Sequence, residues 1–321
     1  MISIALQKRT SILLASLLLV ISGCSNSKLI IGPIYNRLDD QMRKEFHKLG
    51  DFNETQVASF EDTLGTFHVW HRQFELPKYA ALLDTISNRI IETDAVTAET
   101  LQSWLDQSER FTQSVRECHP INFSFGLMKS LTDEQVTFIE KRFQREQGKN
   151  KNKYQKRTKE ERIQRRTDNV VKFASKIGFD FTEGQKTLLK QTFGKQISLR
   201  KDYWALSGNW NRRMFKLARQ QESPVYDERM QAHLQSLWSL LEDAKPAEWR
   251  QNRELWRDFG VKFINSLNKE QRKWANVWLS KLANTLVKIS NDTPSATPSN
   301  DTTVGCYANA AALKDSPTKS L

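Results

Sequence analysis

The residues best suited to chemistry lie in or beside one stretch, Val69 to Leu83, which reads VWHRQFELPKYAALL. His68, His71 and Glu75 have helical spacing, and such a trio could ligate a metal ion. However, three ligands from one helix rarely converge on one ion, and no Cys or Asp cluster would complete the set. His71 also falls on an apolar stripe of the same helix. The pattern therefore favours a core histidine hydrogen-bonded to a neighbouring helix, and no metal is expected.

A second candidate is a basic segment, residues 141–176, which holds fourteen Lys or Arg against four Asp or Glu. The formal net charge of the whole chain is +12, so most of the positive surplus is local. Such a segment can attract an anionic partner, although a solvated helix face is the more common role of a charged run. The residues predicted to bind an anion are Lys149, Lys151, Lys153, Lys156, Arg157, Arg162, Arg165 and Arg166.

Enzymatic motifs are missing from the sequence. It contains no nucleophile elbow, phosphate-binding loop, HExxH or paired-cysteine motif. Acidic residues are plentiful, but no pattern singles out a catalytic pair. The sequence therefore predicts a protein that is not an enzyme and has no catalytic residue.

The first residues have the features of a secreted lipoprotein. Lys8 and Arg9 precede an apolar run, residues 11–21, which is too short to span a bilayer and is typical of a signal peptide. The run closes in ISGC, which resembles the lipobox of bacterial lipoproteins. That resemblance implies attachment of diacylglycerol to the Cys24 sulfur, then cleavage before Cys24, and then acylation of the new amino terminus by a chain such as palmitate. An ordinary secreted protein with a chance thiol is the alternative. Ser25, in place of the Asp associated with inner-membrane retention, indicates the periplasmic face of the outer membrane.

One short phrase occurs four times. It reads SLTDEQ from Ser130 and SLNKEQ from Ser266, with looser versions FNETQ from Phe52 and FTEGQ from Phe181. Each predicts a helix start, because an N-cap Asn or Thr accepts from the backbone N–H three residues on while the Gln side chain reaches back. The predicted capping boxes are Asn53 with Gln56, Thr132 with Gln135, Thr182 with Gln185, and Asn268 with Gln271.

The spacing of the phrases indicates an internal duplication. Leu131 and Leu267 are 136 residues apart, and the preceding Phe-Gly pairs at 125 and 259 are 134 apart. The predicted organisation is a signal peptide at 1–23, a lipidated segment and linker at 24–51, helical halves at 52–180 and 181–290, and a disordered tail at 291–321. Beyond Cys24, the remaining cysteines Cys118 and Cys306 could form a disulfide or stay as thiols in this oxidising compartment.

Helix signals account for the body of the chain. Pro77, Pro224 and Pro246 fit first-turn positions, and no run alternates with period two for long enough to form a strand. We expect an all-α, multi-helix bundle built from two related halves. Long helices are expected over 132–176, with a candidate interruption around Gly148 to Lys153, and over 182–220.

The sequence resembles an uncharacterised family of Gram-negative lipoproteins that is known only as a domain of unknown function. The resemblance is carried by Cys24, by YNRLD at 35–39, by WHRQFELPKYA at 70–80, and by the phrases at 131–135 and 267–271. The family-motif residues in this chain are Trp70, His71, Arg72, Glu75, Pro77 and Tyr79. The resemblance implies a helical fold and an envelope location, without an assigned activity.

The phrase itself is similar to the Leu-Thr-x-x-Gln motifs of the periplasmic chaperones Spy and CpxP. This resemblance implies a helical cradle that binds clients or a sensor domain without ATP. We therefore expect non-enzymatic, chaperone-like or sensor-modulating binding of unfolded or acidic envelope proteins. The alternative is a structural envelope factor that binds anionic lipopolysaccharide or peptidoglycan through residues 141–176. The lipid on Cys24 would provide the membrane contact and no other cofactor is expected. The periplasmic address argues against nucleic acid.

Overall fold

The computed structural model describes residue 35, residues 37–92 and residues 95–292. The α-helices are α1 (Leu38–His47), α2 (Glu54–Trp70), α3 (Leu76–Glu92), α4 (Ala98–Glu117), α5 (Phe125–Lys129), α6 (Asp133–Gln155), α7 (Lys159–Lys176), α8 (Glu183–Lys195), α9 (Arg200–Ala218), α10 (Tyr226–Gln235), α11 (Leu240–Ala244), α12 (Pro246–Asn265) and α13 (Lys269–Asn291). A π-helix (His71–Glu75) and two 3₁₀ turns (Pro120–Phe123 and Ser236–Trp238) join them. No strand occurs among the described residues, and the predicted all-α, multi-helix bundle is confirmed.

Several predictions concern residues outside this range. The signal peptide, Cys24, Ser25, Cys306 and the tail beyond residue 292 are not among the described residues. Cys118 is buried in a cluster with Trp70, and its pairing with Cys306 stays open. Within the described part of the chain, no helix combines the length and the apolar character needed to cross a membrane.

The helices α2 and α3 form one continuous run through the π-helix. We attribute the wider turn to Pro77, which has no N–H to donate to the Gln73 carbonyl and whose ring would clash there in α geometry. The wider spacing is visible in the bond from the Leu76 N–H to the His71 carbonyl. This local change sets the direction in which the family-motif side chains leave the helix.

The predicted helix over 132–176 is divided, but not where we expected. Helix α6 continues through Gly148, so the predicted interruption around Gly148 to Lys153 is wrong. The break lies at 156–158, and Thr158 with Glu161 forms a fifth capping box that starts α7. Sequence analysis missed this box because Glu stands where the other four have Gln.

The predicted helix over 182–220 is also divided, by a turn at 196–199 between α8 and α9. The backbone of Gln196 is extended there. Asn252 of α12 holds the next residue from both sides: its Oδ1 accepts from the Ile197 N–H at 2.9 Å, and its Nδ2 donates to the Ile197 carbonyl at 3.0 Å. A buried amide of a distant helix therefore fixes this turn.

The four predicted capping boxes are all present, and their glutamines meet in pairs. Gln56 and Gln135 exchange amide hydrogen bonds of 2.9 Å in both directions. Gln185 and Gln271 do the same, also at 2.9 Å. Each glutamine oxygen additionally accepts from the backbone N–H of its own N-cap. The amides thus join helix starts that are far apart in the sequence.

Each glutamine amide also donates to the carbonyl of the residue two before the partner's N-cap. The bonds are Gln56 Nε2 to Ser130 O (2.7 Å), Gln135 Nε2 to Asp51 O (2.6 Å), Gln185 Nε2 to Ser266 O (3.2 Å) and Gln271 Nε2 to Asp180 O (2.8 Å). The same bonding pattern at two places supports the predicted internal duplication. The boundary between the halves at residues 180 and 181 stays a prediction.

The core crosses that predicted boundary. Helix α13 packs along α3, where Leu282 and Leu286 share a buried cluster with Leu83. Helix α6 packs against α9, where Val136 shares another cluster with Trp210. In both places a helix that opens with one of the phrases packs on a helix of the other predicted half, so the core depends on both halves.

Candidate functional site

The eight residues predicted to bind an anion lie together along one length of chain, and we call them the basic face. Lys149, Lys151 and Lys153 belong to α6, Lys156 and Arg157 to the turn at 156–158, and Arg162, Arg165 and Arg166 to α7. All are exposed except Arg157 and Arg162, which are partly buried. The capping boxes at the start of α6 and α7 fix both helices, and so position the face.

The charges of the basic face are almost unopposed. Among the described residues, the only ion pair within 4 Å made by a Lys or Arg of residues 141–176 joins Lys149 to Glu146, at 2.9 Å. Glu161 is bonded to the backbone N–H of Thr158 as a helix cap. The positive charge therefore faces solvent, and an anion that approaches would meet little competition from the chain's own acids.

An open groove of about 830 Å³ runs between α7 and α8. Its charged lining residues are Asp168, Lys172, Lys176, Glu183, Lys186 and Lys190. Lys186 pairs with Glu183 at 2.6 Å. The groove extends the positive surface, and the hydroxyl of Thr167, a buried polar residue of its lining, donates to the Ile163 carbonyl at 3.0 Å.

Two arginines of the basic face differ from the lysines because they stack on aromatic rings. The Arg162 guanidinium carbon is 4.2 Å from the centre of the Tyr154 ring, and that of Arg166 is 4.1 Å from the Phe193 ring. Arg200 of α9 joins them, at 5.5 Å from the Tyr154 ring. Sequence reasoning missed Arg200, since only the fold brings the start of α9 to this place.

The family-motif residues form a separate, connected network. The Tyr35 hydroxyl lies 2.6 Å from Nδ1 of His71, and the Tyr79 hydroxyl lies 3.4 Å from Nε2 of the same ring. His71 is thus a hydrogen-bonded histidine between two phenols, and it links the segment before α1 to α3. Burial lowers the pKa of His71 to about 3, helped by the nearby His68 and Arg72, so the ring is neutral at pH 7.

A second histidine continues the network towards α1. His68 Nδ1 lies 2.5 Å from an Asp39 carboxylate oxygen, and Arg72 Nε donates to His68 Nε2 at 3.0 Å. The Arg72 guanidinium also lies over the Tyr35 ring, 5.3 Å from its centre. Tyr35 and Asp39 belong to YNRLD, so two motifs quoted separately from the sequence meet in space. The pairing of Asp39 with His68 was not predicted, because it depends on how α1 folds back.

Glu75 ends the π-helix and is fully buried. One of its oxygens accepts from Lys78 Nζ at 2.7 Å and from Ser114 Oγ at 2.9 Å. The other oxygen is buried and has no hydrogen-bond partner among the described residues. Burial, and then the Glu75 charge, raise the pKa of Tyr79 well above its ordinary value. Of the remaining motif residues, Trp70 is buried and Pro77 is exposed at the start of α3.

This network can position helices, and its chemistry at pH 7 is limited. His71 is neutral with both ring nitrogens facing phenols, and burial raises the pKa of Tyr35 as well. In the described part of the chain, no group of three or more His, Cys, Asp and Glu side chains is arranged to hold a metal ion. His68, His71 and Glu75 are thus not brought together as ligands, and they bond instead to Asp39, to Tyr35 and to Ser114 with Lys78.

Comparison with known proteins gives one match. The model of a family of unknown function, DUF6279, matches residues 48–243, which is more than half of the chain. The matched region contains three of the four paired glutamines, the WHRQFELPKYA stretch and the whole basic face, and it ends before Gln271. Searches of curated proteins and of solved structures found no match.

Proposed function

The chain belongs to DUF6279, a family of unknown function, and we propose that it is a lipid-anchored periplasmic protein of the outer membrane that binds phosphorylated envelope glycans. The ligand class is the phosphate-bearing part of lipopolysaccharide, and the binding surface is the basic face. The observation that supports this proposal is the nearly unopposed charge of residues 141–176, where one ion pair is found among the described residues. The anchor is the covalent lipid on Cys24.

The basic face suits a long anionic polymer better than a small molecule. Its charges spread along the end of α6, the following turn and the start of α7, and the adjoining groove is open to solvent. Each exposed charge pair contributes about 0.5–1 kcal/mol, and salt screens it. Several such contacts together give useful affinity only when one ligand carries several negative charges.

Chaperone-like binding of unfolded proteins has less support from the described surface. A chaperone for unfolded chains needs a contiguous apolar area. The most exposed large apolar side chains, Ile91 and Phe138 at 52% each, lie on different helices, α3 and α6. The other exposed ones are Val170, Val225, Val277 and Val287. They are distributed over the fold, so we rank this function second.

The test is a titration of the full-length chain, in neutral detergent, with the deacylated phosphorylated oligosaccharide of lipopolysaccharide. A variant that carries K149Q, K151Q and K153Q loses three exposed charges of the basic face. At about 0.5–1 kcal/mol for each charge, its affinity should fall roughly ten- to a hundred-fold. The matched control, K273Q with K281Q and K288Q, loses three exposed lysines of α13 and should bind almost as the parent does.

Three outcomes would count against the proposal. Equal losses in the two triple variants would show that net charge, and not the basic face, decides binding. Binding of a carboxylate-rich peptidoglycan fragment in preference to the phosphorylated oligosaccharide would replace the ligand class. Suppression of aggregation of a denatured client, without oligosaccharide binding, would restore the chaperone hypothesis.

The anchor is tested separately in Gram-negative cells that take up a palmitate analogue suitable for labelling. The parent chain should be labelled, and Cys24→Ser should lose the label because its sulfur atom is the predicted attachment point. Cys118→Ser is the matched control, since Cys118 is buried in the helical body, and it should keep the label. A labelled Cys24→Ser chain would contradict the predicted anchor.

A further inference from the structure

We infer that Arg162, Arg166 and Arg200 form a binding site for a single phosphate monoester group. The inference deepens the proposed function and rests on it for the identity of the ligand. It concerns one corner of the molecule, where the turn between α6 and α7 meets the turn between α8 and α9. The lysines of the basic face would attract the glycan, and this corner would hold one of its phosphates.

Aromatic rings gather the three arginines. The guanidinium carbons of Arg162 and Arg200 lie 4.2 Å and 5.5 Å from the centre of the same ring, Tyr154. Arg200 is also 5.9 Å from the Trp204 ring, which meets Tyr154 edge-on at 5.2 Å. Stacking of this kind restricts guanidinium groups without neutralising them.

The hydrogen bonds of this corner are made to neutral groups. Arg166 donates to the Gln196 amide oxygen at 2.7 Å, and Arg162 donates to the Arg157 carbonyl. The Arg200 guanidinium makes no hydrogen bond to any described residue. An arginine has five N–H donors in a planar fork, so most donors of the three side chains remain available to a ligand.

The electrostatics of the corner are one-sided. The Arg166 side chain is exposed overall, but the stacked Phe193 ring keeps part of the water away from its guanidinium. This loss of water lowers the Arg166 pKa to about 10, and the nearby Arg200 charge adds to the effect. Arg200 is likewise exposed overall, but partial loss of water around its guanidinium lowers its pKa, and the Arg162 charge acts in the same direction. No carboxylate is among the groups that shift either pKa. A guanidinium is always charged in proteins, and a bound anion would relieve the repulsion among the three side chains.

A phosphate monoester fits these features better than a carboxylate. Its three terminal oxygens can accept from several guanidinium forks at once, whereas a carboxylate offers two oxygens. Arg200 is also the first residue of α9, whose N-cap Leu199 provides no side-chain acceptor for the first-turn N–H groups. Those N–H groups favour an anion near the start of the helix; the acidic residue of the first turn, Asp202, is paired with Lys245 at 3.6 Å.

The test is a titration of the full-length chain with inorganic phosphate, followed by phosphorus NMR, in neutral detergent. Arg166→Gln should weaken binding about tenfold, because it removes a charge-assisted contact. Arg200→Lys should also weaken binding by several-fold, since lysine keeps the charge and loses the fork. The matched control is Arg229→Gln, an exposed arginine of α10 that lies outside the basic face, and it should change affinity less than twofold.

Two results would overturn the inference. Equal losses for Arg229→Gln and Arg166→Gln would mean that phosphate senses only the overall charge. Phosphate affinity that is unchanged in Arg200→Lys would mean that the planar guanidinium group of Arg200 does not recognise the phosphate. This holds if the variant has the circular dichroism spectrum and melting temperature of the parent. Arg200→Lys keeps the charge and most of the side-chain length, so it tests the site even if Arg166→Gln does not fold.

The inference and the proposed function fail in different ways. Phosphate binding that depends on Arg166 and Arg200, with oligosaccharide binding unaffected by K149Q, K151Q and K153Q, would keep the site and reject the polymer-binding face. Oligosaccharide binding that needs those lysines, with no phosphate binding, would do the reverse. Glucosamine 1-phosphate bound more tightly than inorganic phosphate supports a glycan as the source, and equal affinity supports the free ion; both outcomes support the site.

Discussion

The paired glutamines give a sharp prediction about stability. Gln185 is 1% exposed and takes part in five bonds that a methionine of similar length cannot make. It accepts from Thr182 N at 3.0 Å and donates to both the carbonyl and the hydroxyl oxygen of Ser266 at 3.2 Å. It also exchanges two bonds of 2.9 Å with Gln271. Gln185→Met should therefore destabilise the fold much more than the loss of a helix cap.

The expected magnitude follows from these bonds. A buried hydrogen bond contributes about 1 kcal/mol net. Gln271 keeps its bonds to Asp180 O and to its own N-cap. Its amide is therefore not left without partners, and the net loss is smaller than the sum of the bonds removed. We expect a decrease of about 3 kcal/mol in the free energy of unfolding, within the usual range for large single-site effects. For a helical body of this size, the melting temperature should fall by about 6–12 °C.

The fifth capping box provides the matched control. Glu161 caps Thr158 through the same reciprocal bonds, but it is exposed and pairs with no other helix in the part of the chain that the structure describes. Glu161→Met should lower the stability by about 0.5–1 kcal/mol. Urea unfolding, followed by circular dichroism, measures the change in the free energy of unfolding for both variants, provided that the dependence on urea concentration has the same slope in each. Equal effects, or less than about 1 kcal/mol for Gln185→Met, would refute the view that the phrase joins helices as well as starting them.

Three further predictions concern the helical body. Because the folded pKa of His71 is about 3 and its unfolded pKa is about 6.5, the unfolded chain takes up a proton first as the pH falls. The free energy of unfolding should decrease by about 2 kcal/mol between pH 7 and pH 5, as measured by urea titrations at each pH. His71→Gln should reduce this pH dependence. An unchanged pH dependence in His71→Gln would contradict the lowered pKa of His71. Tyr35→Phe removes the 2.6 Å bond to His71 and should lower the free energy of unfolding by about 1–2 kcal/mol. Tyr226→Phe is the control, because it removes a buried hydroxyl that has no partner among the described residues. It should be neutral or stabilising in the same assay. In thermal melts, Gly260→Ala should destabilise the fold by about 1–3 kcal/mol, because the added Cβ would lie 2.7 Å from a Leu101 methyl. In Gly65→Ala the added Cβ meets nothing within 4 Å, so this variant should stabilise α2 by about 0.5–1 kcal/mol. Equal effects of the two variants would contradict this packing.

Local patterns explain why much of the fold could be predicted from the sequence. A capping box is formed by residues three apart, so the starts at Asn53, Thr132, Thr182 and Asn268 were visible in the sequence itself. The pairing of the glutamines was not visible, since the partners are 79 and 86 residues apart. The turn at 196–199 was missed for a similar reason, because it is held by Asn252 of another helix.

The candidate site was predicted only in part. A dense run of Lys and Arg reveals the basic face by composition alone, whereas the contribution of Arg200 depends on the packing of α9 against Tyr154. The π-helix was not predicted, because Pro77 was interpreted as an ordinary first-turn proline. Tyr35 and His71 lie in two separate sequence motifs, and only the fold shows that these motifs are in contact.

Photo-crosslinking in intact Gram-negative cells tests the central claim most directly. A photoreactive residue is placed at Lys151 in the basic face or, as a control, at Lys281 on α13; both positions are exposed. The unopposed charge of residues 141–176 predicts that the probe at Lys151 captures a phosphorylated glycolipid and that the probe at Lys281 does not. Capture of the same species at both positions, or of proteins alone at Lys151, would contradict the claim.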